Sequence, residues 1–251
     1  MTMTASLIRG LAPLALWLSL NAHAAAPQAW PAPIQALEAQ GYEVLSSFPG
    51  PAGLTGYAAL YLGRPQTLYL TPDGQQAIVG NITDAHGEKW QPELLDRQFG
   101  AALWRQLEAS HWIADGKADA ARVVYTFTDP NCPYCRQFWR DARPWVNAGQ
   151  VQLRHIPVGL LAADSPAKAA ALLAAPDPAA ALARHESGTP VQPLAKPPAA
   201  VSAKLAANQQ LMERLGVFAT PASFYRDAQG RLQKVQGVPT EATLQRLLGP
   251  R

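Results

Sequence analysis

Cysteine is scarce in this sequence of 251 residues, which contains two. Lysine and arginine never form a cluster long enough to indicate nucleic-acid binding, so we expect no nucleic-acid partner. The 23 prolines and 18 glycines follow no repeat, which argues against a low-complexity protein. Hydrophobic residues make up 48% and charged residues 16%, a balance that allows a folded core in one large or two small domains.

Long apolar stretches are missing beyond the N-terminus. Arg9, the apolar stretch 11–20 and Ala22-His23-Ala24 have the order of a positive n-region, an h-region and a small-residue cleavage site. The stretch is too short for a bilayer span, which takes about 20 apolar residues. We therefore predict that residues 1–24 are a secretory signal peptide, with a retained membrane anchor as the alternative. The mature chain would then work outside the cytosol, where disulfides form and persist.

Both cysteines lie in one Cys-x-x-Cys motif, Cys132-Pro133-Tyr134-Cys135. A β-branched apolar run precedes the motif and apolar residues at helical spacing follow it, so a strand ends and a helix begins there. Free backbone N–H groups and the helix dipole stabilise a thiolate at such a position. We expect Cys132 to be an exposed nucleophile and Cys135 a more buried resolving thiol. Pro133 suits the first helical turn and leaves the amides of Tyr134 and Cys135 as donors to the Cys132 sulfur.

Other roles for the cysteine pair are weaker. A zinc site needs about four ligands, and the histidines show no ligand spacing, so we predict no metal. A c-type haem site needs histidine directly after the second cysteine, where this chain has Arg136. A structural disulfide closing so short a loop would add little stability. A redox-active dithiol that uses no cofactor is therefore the preferred interpretation.

A small α+β unit is predicted for residues 25–86. A helix at 30–41 precedes four short strands at 42–48, 54–62, 66–71 and 76–81, which proline- and glycine-rich turns separate. A unit of this size buries a marginal core alone, and its strands leave unpaired edges. We therefore expect it to dimerise, rather than to stand as a self-contained domain.

A linker helix is predicted for residues 87–110. An apolar stripe at helical spacing runs through 89–110, and Pro92 lies in the first turn. Gly100 near the middle weakens the helix and would allow some bending. We interpret this helix as a rigid spacer that sets the distance between two domains.

The catalytic domain is predicted to span residues 111–251. Its order of elements is strand, strand, Cys-x-x-Cys helix, strand, helical insertion, hairpin and terminal helix, which is a thioredoxin topology with helices inserted in the middle. The predicted strands are 111–113, 122–127, 151–158, 217–225 and 231–235, and the predicted helices are 132–148, 162–174, 178–185, 199–215 and 240–248.

Thr220-Pro221 interrupts the predicted strand 217–225. Proline normally demotes a strand, so a special geometry is expected, and a cis peptide is the natural one. A cis proline facing the Cys-x-x-Cys turn would leave the backbone of Thr220 able to bind an extended substrate chain. An ordinary edge-strand proline is the alternative.

The chain resembles a known family in its two motifs, the stretch from Phe127 to Trp139 and the stretch from Ala219 to Tyr225. They are similar to those of the bacterial periplasmic thiol:disulfide interchange proteins DsbC and DsbG, and Cys-Pro-Tyr-Cys is similar to the DsbG members. The resemblance implies an α/β chain with a thioredoxin-like fold and helical insertion, preceded by a small cystatin-like α+β dimerisation domain and a linker helix.

The same resemblance implies a function. The expected protein is a periplasmic V-shaped homodimer that a membrane reductase of the DsbD type keeps reduced. It would reduce sulfenylated cysteines or non-native disulfides of periplasmic proteins, and act as an isomerase or chaperone. Cys132 would attack and Cys135 would resolve, while Thr220, Pro221, Pro133 and Tyr134 would contact substrate.

Two alternatives stay open at this point. A DsbA-like oxidase would donate its disulfide to substrates, but a monomeric oxidase would not need the long N-terminal extension. A dimeric holdase chaperone would bind unfolded chains in its cleft, with the thiols incidental.

Overall fold

The N-terminal part of the chain forms a four-stranded antiparallel sheet in a computed structural model that describes residues 29–250. The predicted signal peptide lies outside the described residues. Helix α1 (Ala32–Glu38) precedes the sheet, and all four predicted strands are present. The fourth is shorter than predicted because three of its residues pair with the third strand. In sheet order the strands are β1 (Tyr42–Pro49), β2 (Thr55–Tyr61), β3 (Arg64–Leu70) and β4 (Ala77–Val79).

A second sheet of five strands carries the Cys-x-x-Cys motif. Its order is β5-β7-β6-β8-β9, with β6 and β7 parallel and the other neighbours antiparallel. The strands are β5 (Ile113–Asp115), β6 (Arg122–Thr128), β7 (Val151–Pro157), β8 (Ala222–Arg226) and β9 (Leu232–Gln236).

Six helices follow α2 (Pro92–Glu108) in the chain and surround this sheet. Two of them connect the parallel strands β6 and β7, three form an insertion between β7 and β8, and the last ends the chain. In this order they are α3 (Pro133–Asp141), α4 (Arg143–Asn147), α5 (Ser165–Ala174), α6 (Pro178–Glu186), α7 (Ala199–Arg214) and α8 (Glu241–Leu248). The predicted thioredoxin-like α/β topology with a helical insertion is confirmed.

Two elements of this sheet region differ from the prediction at prolines. The single helix predicted over 132–148 is two helices, α3 and α4, because Pro144 in the first turn of α4 lacks an N–H and ends the regular ladder. The strand predicted over 217–225 begins only at Ala222, directly after a cis Thr220-Pro221 peptide. The expected cis proline is therefore confirmed.

Helix α2, within the predicted linker, contributes residues to both cores. Leu95 lies in the core of the N-terminal sheet with Phe48 and Tyr69, whereas Trp104 and Leu107 belong to the core of the second sheet. Gly100 lies within this continuous helix. A Cβ there would lie 3.2 Å from the Cβ of Leu232, so glycine allows the helix to approach β9 closely.

The described chain from residue 31 onward forms one compact unit, so the division at residues 86 and 110 stays a prediction. No helix among the described residues combines the length and the apolar character that a membrane crossing requires.

Candidate active site

The two cysteines lie at the junction of β6 and α3, as the sequence predicts. Cys132 is the N-cap residue of α3, and Pro133 occupies the first helical turn. The amide of Cys135 donates a hydrogen bond to the Cys132 sulfur over 3.3 Å. Both thiols are free, so the structure represents the reduced form of the pair.

Several hydrogen bonds converge on the Cys132 sulfur and lower the pKa of its thiol to about 6. The largest contribution is the hydrogen bond from the Cys135 thiol. The amides of Cys135 and Tyr134 lower the pKa further, while burial acts in the opposite direction. At neutral pH this sulfur is mainly a thiolate, which is the nucleophilic form of cysteine.

Cys135 has the opposite environment. Burial raises the pKa of its thiol well above the usual value, and the hydrogen bond and negative charge of Cys132 raise it further. Cys135 therefore keeps its proton at neutral pH and donates it toward the Cys132 sulfur. The pair combines one thiolate with one protonated thiol.

The expectation that Cys132 is exposed is wrong. Its surface is 5% exposed, close to the 3% of Cys135. The loop before β8 covers it, because the carbonyl oxygen of Thr220 lies 3.3 Å from the Cys132 sulfur. Within the motif Pro133 and Tyr134 are exposed, the side chain of Tyr134 at 60%.

The cis peptide brings Thr220 against the dithiol. Besides its carbonyl group, the hydroxyl of Thr220 is buried and has no hydrogen-bond partner among the described residues. The carbonyl of Pro221 is already bonded to the amide of Gly237 over 2.8 Å. Thr220 is therefore the residue of this loop that offers polar groups next to the reactive sulfur.

The chain is similar over most of its length to proteins of known name. A family model described as a thioredoxin-like domain matches residues 111–249. The thiol:disulfide interchange protein DsbG of Pseudomonas aeruginosa is 52% identical, over 97% of this chain and 98% of the relative. DsbG of Escherichia coli K12 is 41% identical over 87% and 91%. The chain belongs to the DsbG family. It is a thiol:disulfide oxidoreductase.

Among solved structures, the chain is similar to DsbG of Helicobacter pylori. That structure is 18% identical in sequence and has a TM-score of 0.41, and the match covers 76% of this chain and 98% of that chain.

Asp129 holds the active-site turn in place through hydrogen bonds to its carboxylate, and no sequence pattern indicates this role. Its side chain is 1% exposed, and one carboxylate oxygen accepts hydrogen bonds from the amides of Leu160 and Leu161 over 2.6 and 3.0 Å. The other oxygen accepts from the Asn131 amide and the Ser165 hydroxyl, each over 2.8 Å. Asp129 thus fixes the start of the active-site turn to the loop after β7 and to α5.

Asn131, directly before Cys132, is held by the same insertion. Its side-chain amide donates to the Asp164 carboxylate and the Ser165 hydroxyl over 2.8 and 2.9 Å. The Lys168 ammonium donates to the Asn131 side-chain oxygen over 2.8 Å. These partners lie more than 30 positions away in the sequence, so local patterns could not reveal them.

His185 of α6 holds the residue before Asn131. The Val191 amide donates to Nδ1 of His185 over 3.0 Å. Nε2 therefore carries the proton and donates to the Pro130 carbonyl over 2.7 Å. The three residues that precede Cys132 are all bonded to the loop after β7 or to the helical insertion.

Replacing Cys135 tests the largest cause of the low Cys132 pKa. We expect Cys135→Ala to raise the pKa of Cys132 by roughly one unit because the thiol donor is lost. Cys135→Ser keeps a hydroxyl donor and should shift it less. The measurement is the rate of Cys132 alkylation by iodoacetamide between pH 4 and pH 9. Equal midpoints for the wild type and both variants would contradict this account.

Replacing Asp129 tests its bonds to the active-site turn. In Asp129→Asn, the amide group would face backbone N–H groups that need acceptors, so we expect a loss of roughly 2 to 4 kcal/mol in the free energy of unfolding. Asp119→Asn, at an exposed carboxylate, is the matched control. Urea unfolding of the oxidised proteins measures both, and a cost for Asp129→Asn no larger than for the control would refute the role.

Proposed function

We propose that this protein works in the periplasm as a reductase and isomerase that acts from its reduced form. The observation that carries the proposal is that the two sulfurs differ in protonation: Cys132 is a thiolate and Cys135 is a protonated thiol. A thiolate at the attacking position is what the first step requires.

Cys132 attacks a sulfur of the substrate. With a disulfide, a new bond forms between Cys132 and one substrate sulfur, and the other leaves as a thiolate and takes a proton. With a sulfenylated cysteine, the same bond forms and the oxygen leaves as water after protonation. Both reactions give a mixed disulfide on Cys132.

Two routes complete the cycle. In reduction, Cys135 loses its proton and attacks the Cys132 sulfur, which releases the substrate as a thiol and leaves an intramolecular disulfide. A membrane reductase of the DsbD type then returns two electrons. In isomerisation, another thiol of the substrate attacks instead and regenerates Cys132 without net electron transfer.

Substrate contacts are assigned to Thr220, Pro221, Pro133 and Tyr134. The buried hydroxyl of Thr220 has no hydrogen-bond partner among the described residues, and the carbonyl of Thr220 faces the Cys132 sulfur. Both groups suit an extended chain beside the reacting cysteine. Tyr134 is 60% exposed next to the nucleophile and offers an aromatic surface to the substrate.

Dimerisation is assigned to the N-terminal part, residues 25–86, with 87–110 as linker and 111–251 as catalytic domain. Strand β4 is an edge of the N-terminal sheet, and its Ile78 and Val79 are 49% and 44% exposed. An apolar edge strand is a favourable place for a second copy to pair.

The pKa of Cys132 favours a reductase, which passes electrons to its substrate, over a DsbA-like oxidase. A value of about 6 lies nearer to the ~7 of reducing thioredoxin than to the ~3.5 of oxidising DsbA. A holdase role has one supporting feature, since Leu62 and Phe218 are each 82% exposed and line the same groove of about 680 Å³.

The redox state in intact cells tests the direction. After acid quenching and alkylation with a mass tag, we expect Cys132 and Cys135 to be mostly reduced, and to become oxidised when the membrane reductase is deleted. The Cys135→Ala variant cannot form the intramolecular disulfide, so it shows the gel mobility of a protein with one tagged thiol. A mostly oxidised pair in wild-type cells would overturn the reductase assignment and favour the oxidase.

A further inference from the structure

Glu186 is a buried carboxylate behind the active-site helix. It is the last residue of α6, and it is 3% exposed. Its ion-pair partner is Arg136, whose Nε lies 4.0 Å from a carboxylate oxygen. That Nε has no hydrogen-bond partner among the described residues, so the two charges face each other without a direct hydrogen bond. The thiol chemistry described above makes no use of this carboxylate.

The position of Glu186 relates it to the reactive sulfur. Arg136 directly follows Cys135 and lies one helical turn after Cys132, which places it on the same side of α3 as the nucleophile. The neighbouring His185 holds the Pro130 carbonyl on the other side of Cys132. The end of α6 thus contacts the chain both before and after the nucleophile.

The surroundings of Glu186 disfavour its charge. Burial raises the pKa of its carboxyl to about 7, with the negative charges of Cys132 and Asp115 acting in the same direction. The guanidinium groups of Arg136 and Arg143 act in the opposite direction. The C-terminal end of α6 also disfavours an anion. The carboxylate and the Cys132 thiolate therefore repel each other.

We propose that Glu186 is a positioning residue that takes up a proton when the dithiol is reduced and releases it when the disulfide forms. Neutral Glu186 leaves the guanidinium of Arg136 free to act on the Cys132 thiolate, whereas ionised Glu186 neutralises that guanidinium. This proposal shares one assumption with the proposed function, namely that Cys132 reacts as a thiolate.

The proton count balances with a dithiol donor. The donor supplies two electrons and two protons and becomes a disulfide, while the Cys132–Cys135 bond breaks. One proton goes to Cys135, Cys132 remains a thiolate, and the second proton goes to the Glu186 carboxylate. Oxidation by a substrate disulfide reverses the step and returns both protons to the products. Without Glu186, the second proton would pass to solvent.

Infrared difference spectroscopy tests this uptake directly. Near pH 6.5, we expect the reduced-minus-oxidised spectrum of the wild type to show a C=O stretch from a newly protonated carboxyl group. The band should shift in D₂O and be absent in Glu186→Gln. Glu213→Gln, at an exposed carboxylate, is the matched control and should keep the band. A wild-type spectrum without the band would overturn the proposal, even if Glu186→Gln failed to fold.

A second measurement counts the proton that Glu186 takes up. When oxidised Glu186→Gln is reduced by a dithiol near pH 6.5 in weak buffer, about one proton per protein should pass to the solvent, whereas the wild type should release much less because Glu186 binds it. A pH-indicator dye measures the release. Equal release by the wild type and a folded Glu186→Gln protein would refute the coupling. Both assays use the purified protein. An oxidised cysteine pair in cells would therefore overturn the proposed direction of electron transfer but would leave the test of Glu186 unaffected.

Discussion

The hydrogen bonds that converge on the Cys132 sulfur are the interaction on which the rest of the site depends. They require β6 to end and α3 to begin at one residue, so that the amides of the first turn point at the sulfur. They require Cys135 one turn further on, protonated by burial. The loop with the cis Thr220-Pro221 peptide covers the same atom from a third element, since the carbonyl oxygen of Thr220 lies 3.3 Å from the Cys132 sulfur. The parallel pairing of β6 with β7 and the antiparallel pairing with β8 set this meeting point.

The helical insertion does more than enlarge the thioredoxin-like domain. The start of α5 bonds to Asp129 and Asn131, and the end of α6 bonds to Pro130. The turn before Cys132 is therefore held by hydrogen bonds from outside the sheet, which restricts how far the nucleophile can move. The insertion also places the buried carboxylate of Glu186 behind α3, where its charge acts on the same sulfur.

Much of the fold was predictable because its signals are local. Apolar periodicity, turn residues and the Cys-x-x-Cys spacing located nearly every strand and helix, and Thr220-Pro221 indicated the cis peptide. The burial of Cys132 was not predictable, because the group that covers it comes from a loop 88 positions away. The bonds of Asp129 and the close approach at Gly100 likewise depend on distant partners. Local patterns carry no information about such contacts, since they arise from how the elements pack.

The stability of the reduced protein as a function of pH tests the central claim, that folding stabilises the Cys132 thiolate. In the unfolded chain the thiol has its ordinary pKa of 9.0, and in the folded protein about 6. Relative to Cys132→Ala, the free energy of unfolding should therefore rise from about pH 6 to pH 9 and be lost as the pH falls through about 6. A difference between the two proteins that stays flat across this range would contradict the account.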